Sequence, residues 1–261
     1  MTSLKKFEHK IYSQNGEDGI IALLLDCVGR DNKYFVEFGV QDGTECNTRY
    51  LREHANFTGL MMDGGNENHA IGLYKEMVTV ENINHLFNKY KVPTKFEILS
   101  IDIDGNDLWV WQAIDEKYQP KIVVMEYNPH LPPPINATIP YSIEHRWDGT
   151  CFYGASVAAL NQLAQEKNYT LVYCDSKGVN AFFIHNQYLK DFTKSFTLPT
   201  PETAFIPAYC CNTTYGETHY KVGNYQMIGH GRVDQSQRQF VEYPSGKSIV
   251  IPEIDVNFSN S

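Results

Sequence analysis

None of the six cysteines (Cys27, Cys46, Cys151, Cys174, Cys210 and Cys211) forms a C-x-x-C pair or a zinc-ligand spacing. That excludes a zinc ribbon or a dithiol redox motif, and mostly buried thiols in a reducing compartment are the simplest account. There is no block of Lys or Arg either. With 22 basic residues against 31 acidic ones and a net charge of -9, the chain has no electrostatic track for a phosphate backbone, so nucleic acid is not an expected partner. Apolar runs such as IIALLL are far too short to span a bilayer, and MTSLKKFEHK contains no apolar h-region. A cytoplasmic protein without membrane insertion is expected, and the sequons at Asn136 and Asn212 then carry no meaning. Internal repeats and low-complexity linkers are also missing, and nothing in the chain fixes an oligomeric state.

What is present is alternation. The 261 residues suffice for one large α/β domain. The segment NGEDGIIALLLDCVG offers Asn15 as an N-cap, acids in the first turn, apolar residues at helical spacing and a closing Gly29. Apolar strands are then expected at 34–39, 58–63, 96–102, 121–127, 169–175 and 180–186, with a short piece at 77–81. Helical stretches are expected near 45–54, 67–76, 82–90, 108–114 and 155–168. Continuous apolar strands separated by helices predict a mostly parallel sheet covered on both faces, and the last two strands read as a hairpin. The chain divides into an N-terminal helical segment (1–30), a core (31–190) and an irregular extension (191–261) within one domain.

The turn after the first strand holds Gly39 and Gly43, with a helix expected to begin just beyond, so backbone amides there should face an anionic ligand group. Asp63 ends the second strand 20 residues later, where an acid can accept hydrogen bonds from ribose hydroxyls. Gln41 stands where a dinucleotide fold needs a glycine to admit a pyrophosphate. A ligand without pyrophosphate suits this turn better, and S-adenosylmethionine (SAM) is one. Equally, Gly39 and Gly43 simply shape a tight strand-to-helix turn.

In register along the chain, SQNGEDGI, VEFGVQDGTECNT, TGLMMDG, SIDIDGNDLWVW, VVMEYN, GASVAAL and GVNAFF resemble a branch of the FkbM-like class I SAM-dependent methyltransferases. The resemblance spans roughly residues 12 to 190. It implies a Rossmann-like α/β fold with a seven-stranded sheet, and O-methylation with sugar or glycan hydroxyls as a frequent acceptor, deoxyhexoses such as rhamnose or fucose among them. Carried over as cofactor-binding positions are Glu37, Gly39, Gly43 and Asn47 in the first-strand motif, Asp63 in the second and Asp102 in the fourth. Gln14, Glu17 and Asp18 fall in the N-terminal motif. Where the family shows D-V-E-G, this chain has Asp102-Ile103-Asp104-Gly105, and beyond residue 190 no pattern matches.

In a parallel sheet ligands bind beyond the carboxyl ends of the strands, so Asp102 and Asp104 should converge with Glu126 and Asn128. Crowded like charges need a counter-charge, and carboxylate and amide oxygens suit hard Mg²⁺ or Mn²⁺. These four are the expected metal ligands. The layout is also similar to metal-dependent small-molecule O-methyltransferases, but the position where catechol-type enzymes carry a lysine base is Gly105. Asp104, His145 and Asp148 are then the candidates for the catalytic base. An EF-hand does not fit, because Asp107 stands where the loop needs glycine, and Asp107 reads as a helix N-terminal acid. His130 and His145 also read as ordinary loop histidines, and Trp109 and Trp111 as core. The loop 129–154 is too long for a plain connection, and it serves either as acceptor site or as a structural lid or subunit contact. A metal-dependent hydrolase or nucleotide-sugar enzyme, and an idle glycan-binding protein, remain alternatives at this stage.

Overall fold

The computed structural model describes residues 3–207 and 238–249, together with the backbone of Thr218–Val222 and Tyr225–Gly229. Cys210, Cys211, Asn212 and much of the expected extension lie outside the described residues.

Seven strands form the central sheet. In chain order they are β1 (Tyr34–Phe38), β2 (Thr58–Asp63), β3 (Leu73–Lys75), β4 (Lys95–Ile101), β5 (Gln119–Glu126), β7 (Tyr169–Cys174) and β8 (Asn180–His185), with a short β6 (Ala137–Thr138) outside the sheet. The spatial order is β3-β2-β1-β4-β5-β8-β7. Strands β1 to β5 of this sheet run parallel, whereas β8 runs antiparallel to both β5 and β7. This is a Rossmann-like α/β fold with the mostly parallel seven-stranded sheet that the sequence resemblance implied.

Strand alternation sorts the apolar side chains onto two faces. Val36, Phe38, Leu99 and Ile101 turn to one side, where α3 (Ile83–Lys89), α4 (Asp107–Ala113) and α5 (Val157–Glu166) bring Phe87, Leu108, Trp111 and Leu160. Phe35, Ile98 and Ile122 turn to the other, under Ile20, Ile21, Leu24 and Leu25 of α1 (Glu17–Val28), Leu51 of α2 (Arg49–His54) and Phe192 of α6 (Leu189–Thr193). Burial on both faces is why these strands read as continuous apolar runs.

Four local expectations need correction. The N-cap of α1 is Gly16, at φ +115°, because Asn15 instead turns its amide toward Gln14 and Glu17. The stretch 67–76 is a single 3-10 turn (His69–Ile71) followed by β3, since Gly72 at φ +76° ends the turn and buried Leu73 joins the edge of β2. Residues 77–81 therefore form no strand. Helix α2 begins at Arg49, several residues later than expected.

The C-terminal region returns to the body. After α7 (Pro201–Ala204), β9 (Thr218–Val222) and β10 (Tyr225–Gly229) form their own antiparallel pair. Strand β11 (Phe240–Glu242) lies between β6 and β12 (Ser248–Ile249). Among the described residues, no helix is long and apolar enough to cross a membrane.

Candidate active site

Parallel β1, β2, β4 and β5 all end at one edge of the sheet, and the β7–β8 turn reaches the same edge because β8 starts there, opposite Glu126. A cavity of about 1020 Å³ opens at this rim, lined in part by Gly39, Asp63, Asp102, Asp104, Glu126 and His145. Two strand tips meet at Gly39. It sits at φ +74°, and a Cβ there would fall 1.6 Å from the Asp102 carbonyl oxygen, so only glycine lets β1 and β4 close up at the cavity floor.

Asp63 is tied into the rim by its backbone neighbours. Its Oδ2 accepts from Gln41 N at 2.8 Å, while Oδ1 accepts from Gly65 N, Asn66 N and Asn66 Nδ2. Oδ1 is saturated, and Oδ2 keeps a lone pair for a hydroxyl of a ligand in the cavity.

The late start of α2 changes the expected anion site. Glu37 accepts from Asn47 N at 2.8 Å, Thr48 N at 3.0 Å and Thr48 Oγ1 at 2.5 Å. The protein's own carboxylate fills the amide nest. Burial pushes the Glu37 pKa up and these hydrogen bonds oppose it. Glu37 and Asn47 are both buried, and Asn47 Nδ2 donates to Ser100 Oγ at 3.1 Å. Gly43 closes the turn through its N–H to Val40 O, at φ +77°. None of the three lines the cavity, so they shape the turn from behind.

The N-terminal acids also work behind the wall. Asp18 Oδ2 accepts from Ile11 N, Tyr12 N, Ser13 N and Ser13 Oγ, and Glu17 accepts from Asn15 N and Asn180 Nδ2. They fold the arm ahead of α1 so that Lys10, Gln14 and Asn15 line the cavity. Of the N-terminal candidates, Gln14 faces the cavity and Glu17 and Asp18 hold its neighbours.

At the floor, one carboxylate oxygen from each of Asp102, Asp104 and Glu126 lies within 4.8 Å of the others. Asp107 frames the loop that carries them: it accepts from Ile103 N and Gly105 N, both at 2.8 Å. That frame holds Asp104 at φ +55°, an unfavourable conformation for most side chains that Asp tolerates better. Burial first, then the neighbouring acids, raises the pKa of Asp102 and of Glu126; burial also raises that of Asp104, opposed by His145. Glu126 Oε2 is buried with no hydrogen-bond partner.

Asn128 is oriented away from this cluster. Its Nδ2 donates to Cys151 O and Tyr153 O, and its Oδ1 accepts from His130 N, so its polar atoms hold the 129–154 loop. Asp148 is likewise engaged elsewhere: it caps Thr150 and pairs with Arg238 at 2.8 Å, outside the cavity lining.

His145 sits on Gly105. A Cβ at Gly105 would lie 2.2 Å from His145 Cδ2 and 2.7 Å from Nε2, so the imidazole occupies the space a side chain at 105 would need. Nε2 is 3.3 Å from Asp104 O. A carbonyl only accepts, so this contact assigns the proton to Nε2 and leaves Nδ1 basic. Burial is the largest influence on His145 and lowers its pKa, as does the charge of Arg238, against the Asp104 contact. Burial thus favours the neutral ring.

Some lining residues were not among the expected site residues. Met77, Val78 and Thr79 reach the rim because β3 ends just before them, and Lys177, Gly178 and Val179 because the last hairpin turns there. Pairing the strand-tip rule with the antiparallel hairpin would have found the second group. Ile143, Arg146, Trp147 and Tyr153 from the long loop close the far wall, and Tyr141 OH bridges to Glu81 Oε2 at 2.6 Å. Trp109 instead donates Nε1 to Ile139 O, and Trp111 is buried in the core.

No family model matches the chain, and no curated protein matches it. Among solved structures, one described as the crystal structure of TnmH is similar at a TM-score of 0.34 and 11% identity, over 64% of this chain and 57% of that one. The chain thus spans little more than half the length of that protein.

Proposed function

We propose that this protein is a SAM-dependent O-methyltransferase acting on a hydroxyl of a sugar or glycan, with a divalent metal, Mg²⁺ or Mn²⁺, at the acidic cluster. One observation carries the reading. The glycine-crowded floor at Gly39, the ribose-type acid Asp63 and the Asp102/Asp104/Glu126 cluster open into a single cavity.

The residues fit both groups. Asp63 Oδ2 has a lone pair for a ribose hydroxyl, and Met77, Val78 and Ile103 offer apolar surface beside it for an adenine. The unpartnered Glu126 Oε2, close to two further carboxylates, suits a hard cation. When bound, such a cation would stabilise negative charge on a nearby acceptor oxygen. Methyl transfer from a sulfonium to that oxygen is an in-line displacement, so alignment is the protein's main task.

His145 supports the remaining step. Its Nδ1 takes the proton of the acceptor hydroxyl, from a neutral ring whose position over Gly105 fills the place of the absent lysine. Trp147 and Tyr153 give the far wall aromatic faces suited to the apolar face of a sugar ring. A sugar acceptor, a deoxyhexose such as rhamnose or fucose above all, follows from the resemblance to the FkbM-like branch.

Calorimetry with S-adenosylhomocysteine tests the reading. Wild type should bind it in the presence of Mg²⁺, and Asp63→Ala should weaken binding by about tenfold or more, the scale of a lost charge-assisted hydrogen bond. Absence of binding to wild type overturns the proposal.

A further inference from the structure

The far wall of the cavity belongs to a segment with little core of its own. Ile143 and Trp147 are exposed, and the segment's order comes from outside. Arg238, just ahead of β11, places Nη2 2.8 Å from Asp148 Oδ2 and 3.0 Å from Thr150 Oγ1. Its guanidinium also lies 4.5 Å from the centre of the Phe152 ring, which in turn meets Phe240 at 4.9 Å.

Strand β11 is itself anchored. Val241 and Glu242 pair with Thr138 and Ala137 of β6, and Tyr243 N donates to Asn136 O. The buried Tyr243 side chain donates its hydroxyl to Glu166 Oε2 at 2.7 Å and accepts from Gln112 Nε2 at 3.2 Å. The hairpin is thus pinned to α4 and α5, and Arg238 extends from it onto the loop. Between these contacts and the cavity stand His145 and Trp147, whose rings pack toward Phe152 and Tyr153.

We infer that Arg238 is a positioning residue for acceptor binding: through Asp148, Thr150 and Phe152 it holds residues 143–153 as the acceptor wall, without reaching the reacting atoms. The inference rests on the proposed reading of the cavity for its function, but the clamp itself is measured without any ligand. It also gives Asp148 a role other than catalytic base. A guanidinium suits the task because one nitrogen, Nη2, donates to both oxygens while the planar face stacks on an aromatic ring.

Amide hydrogen exchange on the full chain is the decisive experiment. In Arg238→Ala, peptides covering 142–153 should exchange about five- to tenfold faster, the factor that losing one such cluster of contacts gives, while β4 and β5 keep wild-type protection. Arg238→Lys, which keeps the charge and loses the planar face on Phe152, should fall between. The exchanged pair Asp148→Arg with Arg238→Asp, which regains the ion pair but not the contacts to Thr150 and Phe152, should restore part of the protection. With methyl α-L-rhamnopyranoside as acceptor, KM should rise about tenfold and kcat should fall as well, because the loosened segment carries His145, while S-adenosylhomocysteine affinity should not move. Unchanged exchange at 142–153, or acceleration spread evenly over the sheet, overturns the inference. Failure of wild type to bind S-adenosylhomocysteine would instead sink the donor reading, and the exchange result would still decide the clamp.

Discussion

Replacing Gly105 by Ala separates chemistry from folding at this site. Gly105 does not lie in the left-handed region, so alanine adopts its backbone without strain. The added Cβ would meet His145 Cδ2 at 2.2 Å, where 3.4 Å is the start of ordinary contact, so the imidazole must retreat by about 1.2 Å. The ring belongs to a partly exposed loop and can move. What the fold loses is one 3.3 Å contact to Asp104 O, so the stability cost should be no more than about 1 kcal/mol. What the reaction loses is larger, because misplacing a reacting group by about 1 Å costs on the order of 100-fold in rate. Urea denaturation, calorimetry with S-adenosylhomocysteine and single-turnover transfer of a labelled methyl group measure the three quantities separately. His145→Ala should cause a similar rate loss, and the double variant should add nothing. A Gly105→Ala protein that turns over within about threefold of wild type would refute His145 as the proton acceptor.

Two further outcomes concern the acids. Glu126→Gln removes a buried carboxylate with an unpartnered oxygen, so in EDTA it should raise stability by about 1 kcal/mol or more. The same change should abolish the rise in Tm that Mn²⁺ gives wild type, and a variant less stable in EDTA with the Mn²⁺ effect intact would contradict the metal assignment. Asp175 is buried beneath the β7–β8 turn, where burial, and next the charge of Glu17, lift its pKa from 3.8 to about 7, against hydrogen bonds from Asn180 N, Lys177 N and Val179 N. A folded value above the unfolded one means that the native state holds a proton the unfolded chain releases. This contribution is therefore fully present below about pH 4 and is lost as pH rises to about 7, a total on the order of 4 kcal/mol. Chemical denaturation across pH 4 to 8 should show a falling stability that Asp175→Asn flattens, and equal slopes in the two proteins would sink the assignment.

The sheet was legible because two-sided burial writes itself into the sequence as uninterrupted apolar runs such as FVEF, EILSI and KIVVME. Those runs place strand tips, and strand tips place Gly39, Asp63, Asp102 and Glu126 along one rim. Short elements at the edge were harder. The β3 segment is three residues long, too brief for any period to show, and its pairing with β2 decides it rather than its own composition. Residue type also failed to tell which polar groups face a ligand. Glu37 and Asp63 each follow apolar strand residues, and both accept backbone amides. Yet the two amides at Asn47 and Thr48 draw Glu37 behind the wall, while the turn at Gly65 and Asn66 saturates one oxygen of Asp63 and leaves the other open to the cavity. Asp148 makes the same point across a longer distance, because its partner Arg238 is 90 residues away. A carboxylate's role depends on how many of its lone pairs the fold has already used. That count is set by contacts remote in sequence, so the rim could be read from the chain whereas the division of labour among its acids could not.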